Sequence, residues 1–228
     1  MITDSFYVGA KGKPICQDYA KHYDNIAILS DGCSSGAESH IGATLMVRTG
    51  INKSVADSLG LGFEDMVATH LRVEQGRYTI HGDGTILIKY LDDSTEIINV
   101  HFSKNAPDYP AYQLYGLKDQ YLEMFKGQDK LITRIIDGKV SYDFGIPFQP
   151  VTQECKPFKY IMGFSDGIES FSKSDDPLDY NIILIKMMEF KTINEGFFHR
   201  RFKKLKEQLF KEGYDHFDDI SGVIIYNE

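Results

Sequence analysis

Residues Ile26 to Gly32 read I-A-I-L-S-D-G, an apolar run that stops abruptly at a carboxylate and a glycine. The run is short, β-compatible and free of charge, which predicts a buried strand with Asp31 at its mouth and the chain turning at Gly32. The same phrase returns far downstream, where Tyr160 to Gly167 read Y-I-M-G-F-S-D-G. Two buried strands thus each deliver one carboxylate at a strand end. Such an end holds a charge rigidly, and a carboxylate there is costly without a partner. The partner this predicts is a cation.

Composition narrows the classes of function. The chain has 228 residues, is 42% hydrophobic and 13% aromatic, and so has enough apolar material for a substantial core. Its formal net charge of -8 argues against nucleic acid as the main partner. Cys16, Cys33 and Cys155 are an odd count without CxxC spacing, which predicts no disulfide framework and a reducing compartment. The opening M-I-T-D-S-F-Y lacks the charged and apolar regions of a signal peptide, and no apolar run reaches membrane-spanning length. The expectation is a soluble, cytoplasmic monomer with no membrane partner. No linker or composition break divides the chain, so residues 1–228 are expected to form a single domain.

Along the chain, Ser5 to Ala10 reads as a strand, followed by a small-residue loop carrying Lys11 and Lys13. Asp18 precedes the strand at Ile26 by a short polar stretch, a hairpin-like layout that places Asp18 beside Asp31. Ser34 or Ser35 is expected to cap a helix whose apolar face is Ala37, Ile41, Leu45 and Val47. A second helix is expected over Phe63 to Glu74, with Met66, Val67, His70 and Leu71 at helical spacing. Arg77 to Phe102 reads as a three-stranded meander joined at Gly82-Asp83-Gly84 and Asp92-Asp93-Ser94. Ala106 to Gly127 reads as a loop with a short helix near Lys118 to Phe125, its tyrosines as packing. Asp137-Gly138 joins a hairpin, Phe158 to Ser165 is the second buried strand, and Gly167 to Asp179 reads as an exposed loop. Tyr180 to Phe190 and Gly196 to Glu212 read as helices, the second with Arg200, Arg201, Lys203, Lys204 and Lys206 on a solvated face. Asp218 and Asp219 lead into a last strand.

The carboxylates form a pattern. Asp18 precedes a strand, Asp31 and Asp166 end strands, Asp83 sits in a tight turn, and Asp218 and Asp219 begin a strand. Clustered Asp side chains are hard oxygen ligands suited to Mg2+ or Mn2+. Two such ions close together can activate a water for attack on a phosphoryl group. Asp-Gly is also the commonest hairpin-turn dipeptide. Asp137 therefore reads as a plain turn, Asp83 equally as turn or ligand, and Asp31 and Asp166, after buried strands and a serine, as ligands.

The ordered set Q-D at Asp18, S-D-G at Asp31, G-D-G at Asp83, S-D-G at Asp166 and D-D-I-S at Asp218 resembles the metal-dependent Ser/Thr protein phosphatases of type 2C, the PPM family, in its compact bacterial-type branch. The resemblance implies an α+β fold, a four-layer α-β-β-α sandwich of two antiparallel sheets flanked by helices. It implies a dinuclear Mn2+ or Mg2+ centre held by Asp18, Asp31, Asp166 and Asp218 with the Gly32 carbonyl, and a third, weaker ion held by Asp83 with Asp166. It further implies hydrolysis of phosphoserine or phosphothreonine on a phosphorylated protein partner. The D-D-I-S motif implies Asp218 rather than Asp219 as ligand, a choice of register that the residues alone leave open.

Two positions depart from the family pattern. Lys13 stands where the family often has an arginine that grips the substrate phosphate; lysine binds phosphate as a point charge without the bidentate fork. Cys33 stands where the family often has a histidine proton donor, and His40 is a speculative substitute. No C-x5-R loop follows Cys33, which reads as a small packing residue. These departures motivate two rival readings: a regulatory or phosphoprotein-binding relative without catalysis, and a phosphatase for small phosphoesters.

Overall fold

The period-2 alternation of Leu71, Val73, Tyr78 and Ile80, all buried, outweighs the helical spacing around them and sets one sheet of the computed structural model, which describes residues 1–36, 38–174 and 176–227. This sheet has five strands, in spatial order β10 (Val151–Glu154), β5 (Arg77–His81), β4 (His70–Glu74), β3 (Ile26–Asp31) and β2 (Asp18–His22). The second has seven, in order β1 (Ile2–Val8), β15 (Ile220–Tyr226), β11 (Phe158–Phe164), β6 (Gly84–Tyr90), β7 (Thr95–Phe102), β8 (Lys130–Ile136) and β9 (Lys139–Gly145). All the pairings in both sheets are antiparallel. A small ribbon of β12 (Phe171–Lys173), β13 (Asp176–Pro177) and β14 (Asp215–His216) lies apart from them.

The inward faces of the two sheets share one core. Leu29, Leu71, Val73 and Ile80 from the five-stranded sheet pack with Ile86, Ile98, Ile161 and Val223 from the seven-stranded one. The outer face of the larger sheet, through Phe6, Leu87, Met162 and Phe164, is covered by α5 (Tyr180–Met187) and α6 (Phe197–Lys211). On the far side α1 (Ser39–Thr49) crosses β2 and β3, with α2 (Lys53–Ser58) beside it. The four α-β-β-α layers follow from burying both faces of each sheet. Two further short helices, α3 (Pro110–Leu114) and α4 (Lys118–Met124), follow β7.

Several sequence expectations are corrected. The helix expected over Phe63 to Glu74 is a turn followed by β4, because Leu71 and Val73 alternate into the core. The three strands from Arg77 to Phe102 exist, but β5 and β6 belong to different sheets, so Gly82-Asp83-Gly84 is a crossover between layers and not a hairpin. The first strand starts at Ile2, ahead of Ser5. The N-cap of α1 is Glu38 in place of Ser34 or Ser35, Ile41 is exposed, and Ala37 lies outside the described residues. Pro110 starts a helix that was not expected. Gly167 to Asp179 is no simple exposed loop: a 3-10 turn at Asp166–Glu169 and β12 bury Ile168 and Phe171, and Asp175 lies outside the described residues. On α6, Arg201 is not solvated, since it donates to the Lys186 carbonyl and to Glu189 on the α5 side.

Candidate metal centre

Each acidic residue reaches the site by a local device. The β2–β3 hairpin pairs Asp18 directly with Asp31 across the ladder. Beyond Asp31 the chain turns at Gly32, whose amide donates to the Gln17 carbonyl at 3.2 Å. A Cβ there would come within 2.9 Å of that carbonyl and of the Ser39 backbone, so the close approach requires glycine. Asp166 leaves β11 into the 3-10 turn. The Ser165 amide donates to the Ser221 carbonyl at 3.1 Å, and the Ser221 amide donates to Ser165 Oγ at 2.9 Å. These bonds bring the end of β11 to the start of β15, and a Cβ on Gly167 would fall onto the Asp219 carbonyl. Asp83 arrives from the crossover, where Gly82 and Gly84 both adopt positive φ, +87° and +133°.

The result is a cavity of about 240 Å³ into which Asp31, Asp83, Asp166 and Asp218 all open, with Gln17, Gly32 and Cys33 beside them. Asp18 lies beneath, 3% exposed, and neither of its carboxylate oxygens has a hydrogen-bond partner. Asp166 Oδ1 is likewise buried and unpartnered. Burial, reinforced by the charges of neighbouring carboxylates, holds the carboxyls of Asp31, Asp83 and Asp166 above the ordinary range, and burial pushes Asp18 up to about 7. Orphaned carboxylate oxygens packed against like charges fit a divalent cation. Among the described residues no three His, Cys, Asp or Glu side chains, as they stand, are placed together to hold a metal ion. The acids line the cavity from separate segments, so an ion there would be shared between them and water.

The two aspartates before β15 play different parts. Asp219 is 2% exposed and accepts from the amides of Ala10 (2.7 Å) and Gln17 (2.8 Å), so it ties down the loop between β1 and β2. Asp218 is far more open and faces the cavity. Lys13 Nζ lies 2.5 Å from Asp218 Oδ1 and 3.6 Å from Asp219 Oδ2. Burial works to lower the Lys13 pKa, but the two carboxylates outweigh it and raise the value. Replacing Asp219 with Ala is expected to leave the buried Ala10 amide unpaired, at a cost of about 1–3 kcal/mol, and to free the half-buried Gln17 amide at a smaller one. Asp218→Asn is expected to stay within about 0.5 kcal/mol of the parent. Urea denaturation of both variants checks the contrast.

His40 is not among the cavity residues; it sits on α1, 3.6 Å from Glu38. Cys33 lines the cavity with its Sγ 3.0 Å from Ser35 Oγ. The residues that sequence reasoning missed are Asn105, Pro107 and Tyr109, which form one wall. Tyr109 was expected only to pack; it stands beside Asp83 and Cys33, and burial followed by the Asp83 charge pushes its hydroxyl well above the ordinary range. The signal for this wall was the P-D-Y-P stretch from Pro107 to Pro110, whose two prolines stiffen a loop around a buried Asp108.

No family model matches the chain, and no curated protein matches it in sequence. Solved structures do share its architecture along its whole length. The PPM Ser-Thr phosphatase MsPP from Mycobacterium smegmatis, in complex with cacodylate, covers 100% of this chain and 99% of its own at TM-score 0.57 and 15% identity. The chain has the fold of the PPM phosphatases. The S. agalactiae serine/threonine phosphatase shares this PPM fold over 100% of the chain and 99% of its own, at TM-score 0.54 and 16% identity. So does the catalytic domain of the serine/threonine protein phosphatase PstP in complex with two manganese ions, over 98% and 96%, at TM-score 0.54 and 12% identity. The PPM fold accounts for the sandwich; the acid cluster is a property of these residues. Among the described residues no helix is long and apolar enough to cross a membrane.

Proposed function

We propose that this chain is a metal-dependent phosphatase acting on phosphoserine or phosphothreonine in proteins. The observation that carries the reading is that Asp31, Asp83, Asp166 and Asp218, from four separate segments, open into one cavity above an Asp18 whose buried oxygens lack partners. Asp31, Asp166, Asp218 and the Gly32 carbonyl would hold Mn2+ or Mg2+ with Asp18 beneath, and Asp83 together with Asp166 would hold a weaker ion. The manganese complex of the PstP domain supports the choice of metal. Bound there, the cations supply the positive charge that lowers the pKa of water and offsets charge developing at phosphorus.

The chain's own groups bind and orient. The Lys13 ammonium, held at the cavity by Asp218 and Asp219, is placed to swing onto a substrate phosphate as a point charge. The Ser165–Ser221 bonds and Gly167 hold Asp166 and Asp218 in register, so the acids need no rearrangement. Tyr109 and Pro107 give the cavity an ordered wall that limits water. The cavity's size supports a protein substrate: about 240 Å³ admits a phosphorylated side chain but is below the ~300–1,000 Å³ of pockets that enclose whole metabolites.

The test is hydrolysis of a phosphothreonine peptide and of para-nitrophenyl phosphate with Mn2+, with Mg2+ and with EDTA. Metal-dependent cleavage of both is expected. Cleavage of the small ester alone would transfer the reading to metabolites. A folded protein that binds Mn2+ and turns over neither would leave the non-catalytic, phosphoprotein-binding role.

A further inference from the structure

The seven-stranded sheet ends differently on its two sides. At β1 the edge is closed by the β2–β3 hairpin: Thr3 Oγ1 donates to the Tyr23 carbonyl at 2.6 Å, and Ser5 Oγ meets His22 Nδ1 at 2.9 Å. At β9 the edge is bare. Among the described residues β9 pairs with β8 alone, and its side chains are exposed on both faces as far as Phe144. Val140, Tyr142 and Phe144 share one face by period-2 alternation and are 52%, 77% and 68% exposed. The usual protections of an edge are missing. The strand has no proline, no bulge interrupts its register with β8, and its one lysine stands at the first position. A regular apolar edge of this kind is a template for another strand.

The hairpin fixes which backbone groups face outward. Its turn is Asp137 and Gly138, both at positive φ, +46° and +81°. A two-residue turn closes on a pair that exchanges both backbone bonds, here Ile136 and Lys139, and such pairs then alternate along the ladder. The amides and carbonyls of Lys139, Ser141, Asp143 and Gly145 are therefore engaged by β8. Those of Val140, Tyr142 and Phe144 point away from it. Phe144 shows the consequence: with no strand beyond it, its amide turns to Asp143 Oδ1 at 2.8 Å.

We propose that β9 is a homodimer interface, its free edge covered by β9 of a second copy of this chain. The strand K-V-S-Y-D-F-G is complementary to itself when run antiparallel about Tyr142. Val140 then stands opposite Phe144 of the second copy, Tyr142 opposite Tyr142, and Phe144 opposite Val140. These are apolar pairs on one face, and each exchanges both of its outward backbone bonds. On the other face Ser141 stands opposite Asp143 of the second copy, and Lys139 is diagonal to that carboxylate, within reach of a long side chain. No like charges meet. Sliding the strands by two residues one way would set Asp143 against Asp143, and the other way would put Phe144 against the turn at Gly138. Opposite residues lie on the same face, so the two seven-stranded sheets join into one continuous sheet with α5 and α6 of both copies on one side. An edge of seven residues makes a contact smaller than the ~800 Å² per partner of a standard interface, so the dimer is weak, with a Kd on the order of 10–100 μM. The monomer expected from the sequence is then the dilute state. None of these residues lines the acidic cavity, so the dimer is independent of the phosphatase reading.

The test is sedimentation equilibrium of the full chain from about 1 μM to about 1 mM, a range that brackets the expected Kd. A reversible monomer–dimer equilibrium is expected. Tyr142→Lys, at a position 77% exposed and so expected to fold, sets two ammonium groups opposite each other on the axis and is expected to weaken the dimer at least ~tenfold. A second measurement reads the register. Ser141 and Asp143 of the two copies form a pair without mutual backbone bonds, with Cα atoms about 4.5 Å apart, a distance that a disulfide spans. An equimolar mixture of Ser141→Cys and Asp143→Cys is therefore expected to give far more disulfide-linked dimer on mild oxidation than either variant alone. A chain that stays monomeric throughout overturns the proposal. So does a dimer that Tyr142→Lys leaves equally strong, or a mixture that cross-links no better than its components. If Tyr142→Lys does not fold, the cross-linking result decides.

Discussion

Asp166→Asn is expected to lower metal-dependent turnover on the order of 10²–10³-fold while making the metal-free protein more stable. Both effects have one cause. Asp166 is a half-buried residue whose Oδ1 is enclosed beside Asp31 and Asp218, and removing its charge relieves the cluster as it removes a proposed ligand. The pH dependence follows with a definite sign. Asp18 moves from its ordinary 3.8 to about 7 on folding, chiefly through burial, so between those values the folded state holds a proton that the unfolded chain has lost. Stability of the metal-free protein therefore falls as pH rises across that window and is highest at its acid end. Asp31, Asp83 and Asp166 are raised as well and act in the same direction. Divalent metal binds the ionised acids, so Mn2+ is expected to raise the melting temperature most at neutral pH. Thermal melts with EDTA and with Mn2+, at the two ends of the window, measure this. In Asp166→Asn both the fall with pH and the gain from Mn2+ are expected to shrink. A metal-free protein that grows more stable towards neutrality would rule out the protonated cluster.

Lys130→Met is expected to destabilise the fold by about 3–5 kcal/mol, because it leaves Asp108 as a buried charge without its partner. The ammonium and carboxylate meet at 3.2 Å with both side chains 1% exposed. Asp108 also accepts from the Phe148 amide at 2.5 Å, and Lys130 donates to the Gln149 carbonyl at 2.9 Å. This node ties three segments together: β8, the loop after β9, and the loop whose Pro107 and Tyr109 wall the acidic cavity. The loss should therefore appear twice, in urea denaturation and as a weaker response to Mn2+. The double variant Lys130→Met with Asp108→Leu separates charge from packing. It is expected to recover most of the stability, since an apolar pair of similar volume replaces a buried ion pair at little cost. Recovery of stability without recovery of the Mn2+ response would show that the wall needs the specific Asp108–Phe148 bond. No recovery at all would mean that the node acts through its hydrogen bonds to the Phe148 amide and the Gln149 carbonyl, which the apolar pair cannot make.

What was legible in the chain was what local chemistry dictates. The two S-D-G phrases end buried strands as expected, because unbroken apolar runs have few places to go but a covered sheet, and glycine permits the turns that follow. The pairing of Asp18 with Asp31 was readable because the hairpin joining them is short. Short-range periodicity failed where two periods compete: Met66, Val67, His70 and Leu71 satisfy a helix, and only packing of Leu71 and Val73 against Ile86 and Val223 makes the segment a strand. It failed again at Asp83, since a turn motif records the local bend and not which sheet the next strand joins.

The sequence by itself determined the residue types and the strand ends that present five carboxylates, because those depend on apolar runs and turn residues a few positions apart. Tertiary structure alone decided that Asp218 faces the cavity while Asp219 anchors Ala10 and Gln17, that Tyr109 becomes a wall, and that Lys13 meets an acid more than two hundred residues away. Adjacent aspartates before a strand are equivalent in sequence. They differ only because successive side chains point to opposite sides, and what lies on each side is supplied by distant parts of the chain.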